Sequence, residues 1–158
     1  MNLTVTTVNA ELARILEPRA PRSDLRLDAI RKLRAAGVNA GVICAPVIPG
    51  ITDAPPDLEA LVRAAAQAGA DYIYANPLFL KPCSAAVFLP FLEQQFPHLV
   101  KSYRERFNSR AFLPRAYHTG ISQLMARLRK KYEIGDRLGR DSRRSQPAPR
   151  VEEQLTLF

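Results

Sequence analysis

The sequence predicts an α/β fold built on parallel strands, and three observations predict it. From Glu17 to Asp53 an amphipathic helix, a glycine stop, an unbroken apolar run and a Pro/Gly-rich loop follow one another. The same order returns between Leu58 and Pro77, and a β-branched run from Leu3 to Val8 precedes both. The loops of the two units differ, which suits a (β/α) barrel or a doubly wound sheet and not a solenoid of identical repeats.

Each element has a local cause. Leu3-Thr4-Val5-Thr6-Thr7-Val8 is rich in β-branched residues, as strands are, and Asn9 is a good cap for a helix beginning near Ala10. Leu27, Ile30 and Leu33 recur at helical spacing with Arg26, Arg31, Lys32 and Arg34 on the other face, and Gly37 supplies the left-handed stop. Gly41 to Ala45 has no polar alternation, as expected of a strand covered on both faces, and Pro46 with Pro49-Gly50 ends it. Leu58, Leu61, Val62 and Ala65 form the next helical stripe, Ala68-Gly69-Ala70 stops it, and Asp71 to Ala75 reads as a strand closed by Asn76-Pro77. Parallel strands present ligand sites at their carboxyl ends, so the loops after these strands are the first place to look for one. Phe88, Phe91, Leu92 and Phe96, then Leu99, Tyr103 and Phe107, make aromatic stripes expected to bury as core, and Pro114 to Tyr132 is the clearest helix of the chain.

Several of these blocks, in this order, carry a resemblance. VTTVNAELARILEPRAP, RLDAIRKLRAAGV, GVICAPVIPGITD, FLKPC and FLPFLEQQFPHLVKSYRERF resemble the carboxyl-terminal half of radical S-adenosylmethionine enzymes of the spore photoproduct lyase, or DNA-repair-photolyase-like, type. The resemblance covers roughly residues 1–134. It implies a partial (β/α) barrel whose strands are the last three of six, followed by carboxyl-terminal helices, whereas residues 135–158 read from their composition as a disordered basic linker ending in a short apolar peptide. It also implies S-adenosylmethionine lying across the carboxyl ends of the strands. Thr6 and Thr7 match the family's polar pair, and Ala45 and Pro46 match its Ala-Pro, where a small side chain admits the adenine edge. Arg19 is a candidate partner for the ligand carboxylate through its planar donor fork, and Asn76 and Lys81 are further candidates at the third strand's end.

The resembled enzymes hold a four-iron, four-sulfur cluster on a C-x-x-x-C-x-x-C loop, where three thiolates leave one iron open to the cofactor. Here the cysteines are two, Cys44 and Cys83, far apart in sequence. No cluster loop or zinc spacing can be drawn from them, and Cys44 reads as a small buried hydrophobe. In the resembled enzymes the cluster performs the reductive cleavage while the protein orients the pieces. The chain is therefore expected to be catalytically silent alone, whether as a gene fragment, a decayed copy or one subunit of a split enzyme completed by an amino-terminal half-barrel polypeptide. A strand at residues 3–8 whose neighbour is missing is also expected to leave an apolar edge open. The few unpaired cysteines, with no signal peptide and no apolar run long enough to span a bilayer, point to a cytoplasmic protein without a membrane partner.

Charge is segregated. The formal net charge is +8, and all of the excess arises between Lys101 and Arg150; the first hundred residues are balanced. Arg127, Lys130 and Lys131 on the long helix, then Arg137, Arg140, Arg143 and Arg144, form a cationic region of the kind that gains affinity for DNA through counterion release. A solvated helix face with a basic tail is the plainer account of the same charges. From Asp136 to Glu153 almost no apolar residue occurs, a composition that cannot offset chain entropy. The terminal Gln154-Leu155-Thr156-Leu157-Phe158 resembles the peptide by which bacterial replication and repair proteins bind the DNA polymerase sliding clamp. Gln154 would offer hydrogen bonds, and Leu155, Leu157 and Phe158 apolar anchors.

Overall fold

The computed structural model describes residues 1–108 and 110–136. Three parallel strands, β1 (Asn2–Thr4), β2 (Gly41–Val47) and β3 (Ile73–Pro77), lie side by side in that order. Leu3 pairs with Val42, and Val42 with Ile73. Helices α1 (Ala10–Leu16) and α2 (Ser23–Ala35) join β1 to β2, and α3 (Pro55–Gln67) joins β2 to β3. After β3 come α4 (Pro82–Gln95), a single 3₁₀ turn (Pro97–Leu99), α5 (Val100–Arg106) and α6 (Arg115–Lys131). The chain is thus α/β, with a small parallel sheet as its centre.

Local chemistry sets most boundaries where the sequence places them. Asn9 Oδ1 accepts from the amides of Glu11 and Leu12 and starts α1. Gly37 and Gly69 take φ of 77° and 74°, the left-handed conformation that ends α2 and α3 without a Cβ penalty. All three strands differ from the expected bounds, β3 starting two residues later than Asp71 and running through Asn76 to Pro77. β1 stops at Thr4, although Val5 N still donates to Ile43 O at 2.9 Å, because the chain bends into the α1 turn: Thr7 Oγ1 accepts from Asn9 N at 3.1 Å. β2 runs through Pro46 to Val47, with a register shift between Cys44 and Val47 where proline's missing donor is tolerated.

The two faces of the sheet differ. Val5, Val42, Cys44 and Ile73 share one face and are fully buried against Ile30 of α2, Leu58, Leu61 and Val62 of α3, and Met125 and Leu128 of α6. On the other face Thr4, Ile43, Ala45 and Tyr74 are only half-buried. This corrects the expectation that β2 is covered on both sides. α6 is pinned to α3 by Glu59, which accepts from Lys131 Nζ at 2.6 Å and Tyr132 Oη at 2.7 Å. A second apolar cluster, around Ile48, Leu78, Leu92 and Tyr103, lies beyond the carboxyl ends of the strands.

The expected open edge at residues 3–8 is partly covered, with Leu3, Thr4 and Val8 half-buried. Val5, Thr6 and Thr7 are buried, and Arg26 of α2 covers the outer side of β1: its Nη1 donates to Thr4 O at 2.8 Å and its Nε to Pro21 O at 2.8 Å, with Glu17 beside it at 3.2 Å. β3 is treated similarly. Its outer side receives Gly135 O on the Ile73 amide at 3.1 Å, and Arg129, paired with Asp136 at 3.0 Å, makes a long bond of 3.5 Å to Ile73 O. Among the described residues no helix is long and apolar enough to cross a membrane.

Candidate functional site

The carboxyl ends of all three strands meet at one cleft. Thr6 follows β1, Pro46 and Ile48 come from the end of β2, and Leu78 follows β3; α1 adds Leu16, and α4 adds the wall of Val87, Phe88 and Phe91. The cavity measures about 470 Å³, within the roughly 300–1,000 Å³ usual for small-molecule sites. Its lining is largely apolar, with Thr6, Ser84 and Glu17 as the polar members.

Thr6 is the unusual residue of this cleft. It is 3% exposed, and its Oγ1 is buried with no hydrogen-bond partner. Buried hydroxyls nearly always have a partner, and an orphan costs about 1–3 kcal/mol. A planar apolar group against Phe88 and Phe91 is what this arrangement can accept.

The loop closing β2 forms one border of the cleft and is tightly specified. Ile48 O accepts from Ile51 N at 3.0 Å and Thr52 N at 2.9 Å, and Thr52 Oγ1 accepts from Ile48 N at 2.8 Å. Gly50, at φ 74°, donates its amide to Asp53 Oδ1 at 2.7 Å. Tyr103 Oη donates to Pro49 O at 2.6 Å, and Tyr117 Oη to Asp53 Oδ2 at 2.8 Å.

Of the residues singled out from the sequence, the cleft brings together Thr6 and Pro46. Thr7 is buried, but its hydroxyl oxygen accepts from Asn9 N and its carbonyl from Ser23 Oγ at 2.7 Å, so it serves the turn into α1. Ala45 is half-buried one residue before the lining. Arg19 is exposed on the connection between α1 and α2, outside the cleft lining. Asn76 opens on a different cavity of about 470 Å³, beside Tyr74, Ser122, Met125 and Arg129 at the outer side of β3. Cys44 is buried in β2, where burial pushes its thiol up to about 12, and Cys83 is exposed at the start of α4. Those two thiols do not fit a cluster, and among the described residues no three His, Cys, Asp or Glu side chains gather as a metal-holding group.

On α6, Arg127 and Lys130 are exposed without an ion pair among the described residues, whereas Lys131 is taken by Glu59. Arg137, Arg140, Arg143, Arg144 and the terminal Gln154, Leu155, Leu157 and Phe158 lie outside the described residues, as does the expected disordered tail. The α4 contribution was missed from sequence, because Phe88 and Phe91 read as core. The available signal was the absence of any charge from Pro82 to Leu92: a helix apolar all round has more than one face to cover.

The chain is 35% identical over 151 residues, 94% of its length, to an uncharacterized protein of Mycobacterium tuberculosis, and equally to one of Mycobacterium bovis. A shorter match, 33% over 81 residues, joins it to an uncharacterized protein of Acidianus two-tailed virus. The chain spans 43% of the mycobacterial relatives. No family model and no solved structure matches it.

Proposed function

We propose that this chain is the S-adenosylmethionine-binding half of a radical S-adenosylmethionine enzyme of the spore photoproduct lyase-like type, a partial (β/α) barrel without cluster ligands of its own. The observation that carries the reading is the largely apolar cleft at the strands' carboxyl ends, lined by Thr6 and Pro46 and walled by Phe88 and Phe91. The apolar wall of Phe88 and Phe91 suits an adenine, and Thr6 a hydroxyl or ring nitrogen of the nucleoside. The half-buried second face of the sheet and the greater length of the mycobacterial relatives are compatible with further strands supplied by another segment or polypeptide. No chemical step falls to the residues present; they bind and orient.

Thr6→Val tests this. Valine keeps the β-branched shape and removes the orphan hydroxyl, so the variant should gain about 1 kcal/mol of stability while losing affinity for S-adenosylmethionine, followed by amide chemical shifts in a titration. Stabilisation with unaltered affinity refutes the reading.

A second reading takes the chain as a catalytically silent module tethered to DNA and to the sliding clamp. It is favoured by Arg127 and Lys130 on α6, exposed and without an ion pair among the described residues, and continuous in sequence with the basic tail and the QLTLF terminus. DNA affinity that falls steeply with salt, and falls further in Arg127→Gln/Lys130→Gln, would support it.

A further inference from the structure

The β2 loop at the cleft is gripped from outside the βα units, by two phenols on two different carboxyl-terminal helices. Tyr103 of α5 is 1% exposed; its ring stacks on Phe107 at 5.8 Å and lies tilted against Phe88 at 5.7 Å, while its hydroxyl holds Pro49 O. Tyr117 of α6 holds one oxygen of Asp53, whose other oxygen holds the left-handed Gly50 amide. The loop so fixed begins at Ile48, a cleft residue, and Phe88, which Tyr103 packs against, is another. Burial raises both phenols above their ordinary value, and the nearby Asp53 carboxylate raises them further, so both stay donors across the physiological range.

We propose that Tyr103 and Tyr117 are positioning residues for the ligand of this cleft: through Pro49 and Asp53 they set the 48–53 loop, so that affinity for S-adenosylmethionine is governed from the carboxyl-terminal helices. Neither phenol lines the cleft. The proposal rests on the reading of the cleft as an S-adenosylmethionine site. It makes α5 and α6 part of the binding apparatus and not only a cover for the sheet.

The test compares Tyr103→Phe and Tyr117→Phe with Tyr132→Phe in the full chain. The last removes the same hydroxyl from the far end of α6, where it reaches Glu59 and not the loop. Titration with S-adenosylmethionine should show a dissociation constant raised roughly tenfold, the size of one lost hydrogen bond, in each loop variant, and unchanged in Tyr132→Phe. Exchange of the Gly50 amide should quicken in the loop variants alone. Unchanged affinity in both loop variants, or an equal loss in Tyr132→Phe, overturns the positioning role while leaving the cleft reading intact. A wild-type chain with no measurable affinity overturns the cleft reading and the ligand half of this proposal. Gly50 exchange then decides the other half: exchange as slow in the loop variants as in wild type means that the phenols do not hold the loop.

Discussion

Removing the Arg26 guanidinium should both weaken the fold and open the sheet. The side chain is 11% exposed and makes two bonds to main-chain carbonyls, Thr4 O and Pro21 O, each at 2.8 Å. Hydrogen bonds from a charged donor contribute about 1.5 kcal/mol or more each. The Glu17 pair adds less than about 1 kcal/mol, since Glu17 is 31% exposed and solvent screens it. Arg26→Met, which keeps most of the aliphatic stem, should therefore cost about 3 kcal/mol, read from urea unfolding followed by circular dichroism. Arg26→Lys should recover part of this, because one ammonium cannot serve two diverging carbonyls as a planar fork does. The Thr4 carbonyl left bare on an outer strand becomes an acceptor for another chain, so sedimentation velocity should reveal species larger than wild type. An Arg26→Met chain within about 0.5 kcal/mol of wild type, and sedimenting identically, refutes the idea that this arginine seals the edge.

Three further outcomes follow from the geometry. Glu59 lies below the ordinary carboxylate range, first through Lys131 and then through Tyr132; a depressed carboxyl stabilises the fold above its unfolded pKa, and that stability is lost as pH falls through the folded value. Glu59→Gln should therefore flatten the loss of stability below about pH 4.5, and an unchanged acid limb in thermal melts counts against the α3–α6 pin. Pulse alkylation of the native chain should label Cys83 rapidly and Cys44 only upon unfolding, because the latter thiol is buried and pushed to about 12; equal rates by mass spectrometry contradict the packing of β2. A peptide of residues Val151 to Phe158 should bind a bacterial sliding clamp with micromolar affinity, about 8 kcal/mol, and lose it when Leu157 and Phe158 become alanine; no calorimetric heat, or equal affinity of the two peptides, removes the clamp from the second reading.

What the sequence made legible was whatever depends on near neighbours. Asn9, Gly37 and Gly69 act within their own turns, and their roles are visible in the string itself. The apolar order of Gly41 to Ala45 gave the strand, but not its second, half-open face, because periodicity reports that a residue is apolar and not what covers it. Of the site residues, Thr6 and Pro46 were singled out by the resemblance of their blocks, Thr6 in a polar pair and Pro46 in an Ala-Pro step. Thr7 differs from Thr6 by a bend of the chain, and only coordinates show that one hydroxyl is engaged and the other alone. The phenols of Tyr103 and Tyr117 are 54 and 64 residues from their acceptors, contacts that no local pattern encodes.

The guanidiniums on the two flanks of the sheet have a consequence for assembly. A newly arriving strand could not simply add to β1, since the Thr4 carbonyl it needs is already occupied. Docking there would be an exchange: one donor leaves as another arrives, and the number of satisfied carbonyls stays the same. Such a swap has a small net driving force, and its gate is the rotation of a side chain, a fast event beside any unfolding of the backbone. The flank is in this sense a socket with a removable plug, and whatever joins there must bring its own favourable contacts to displace it.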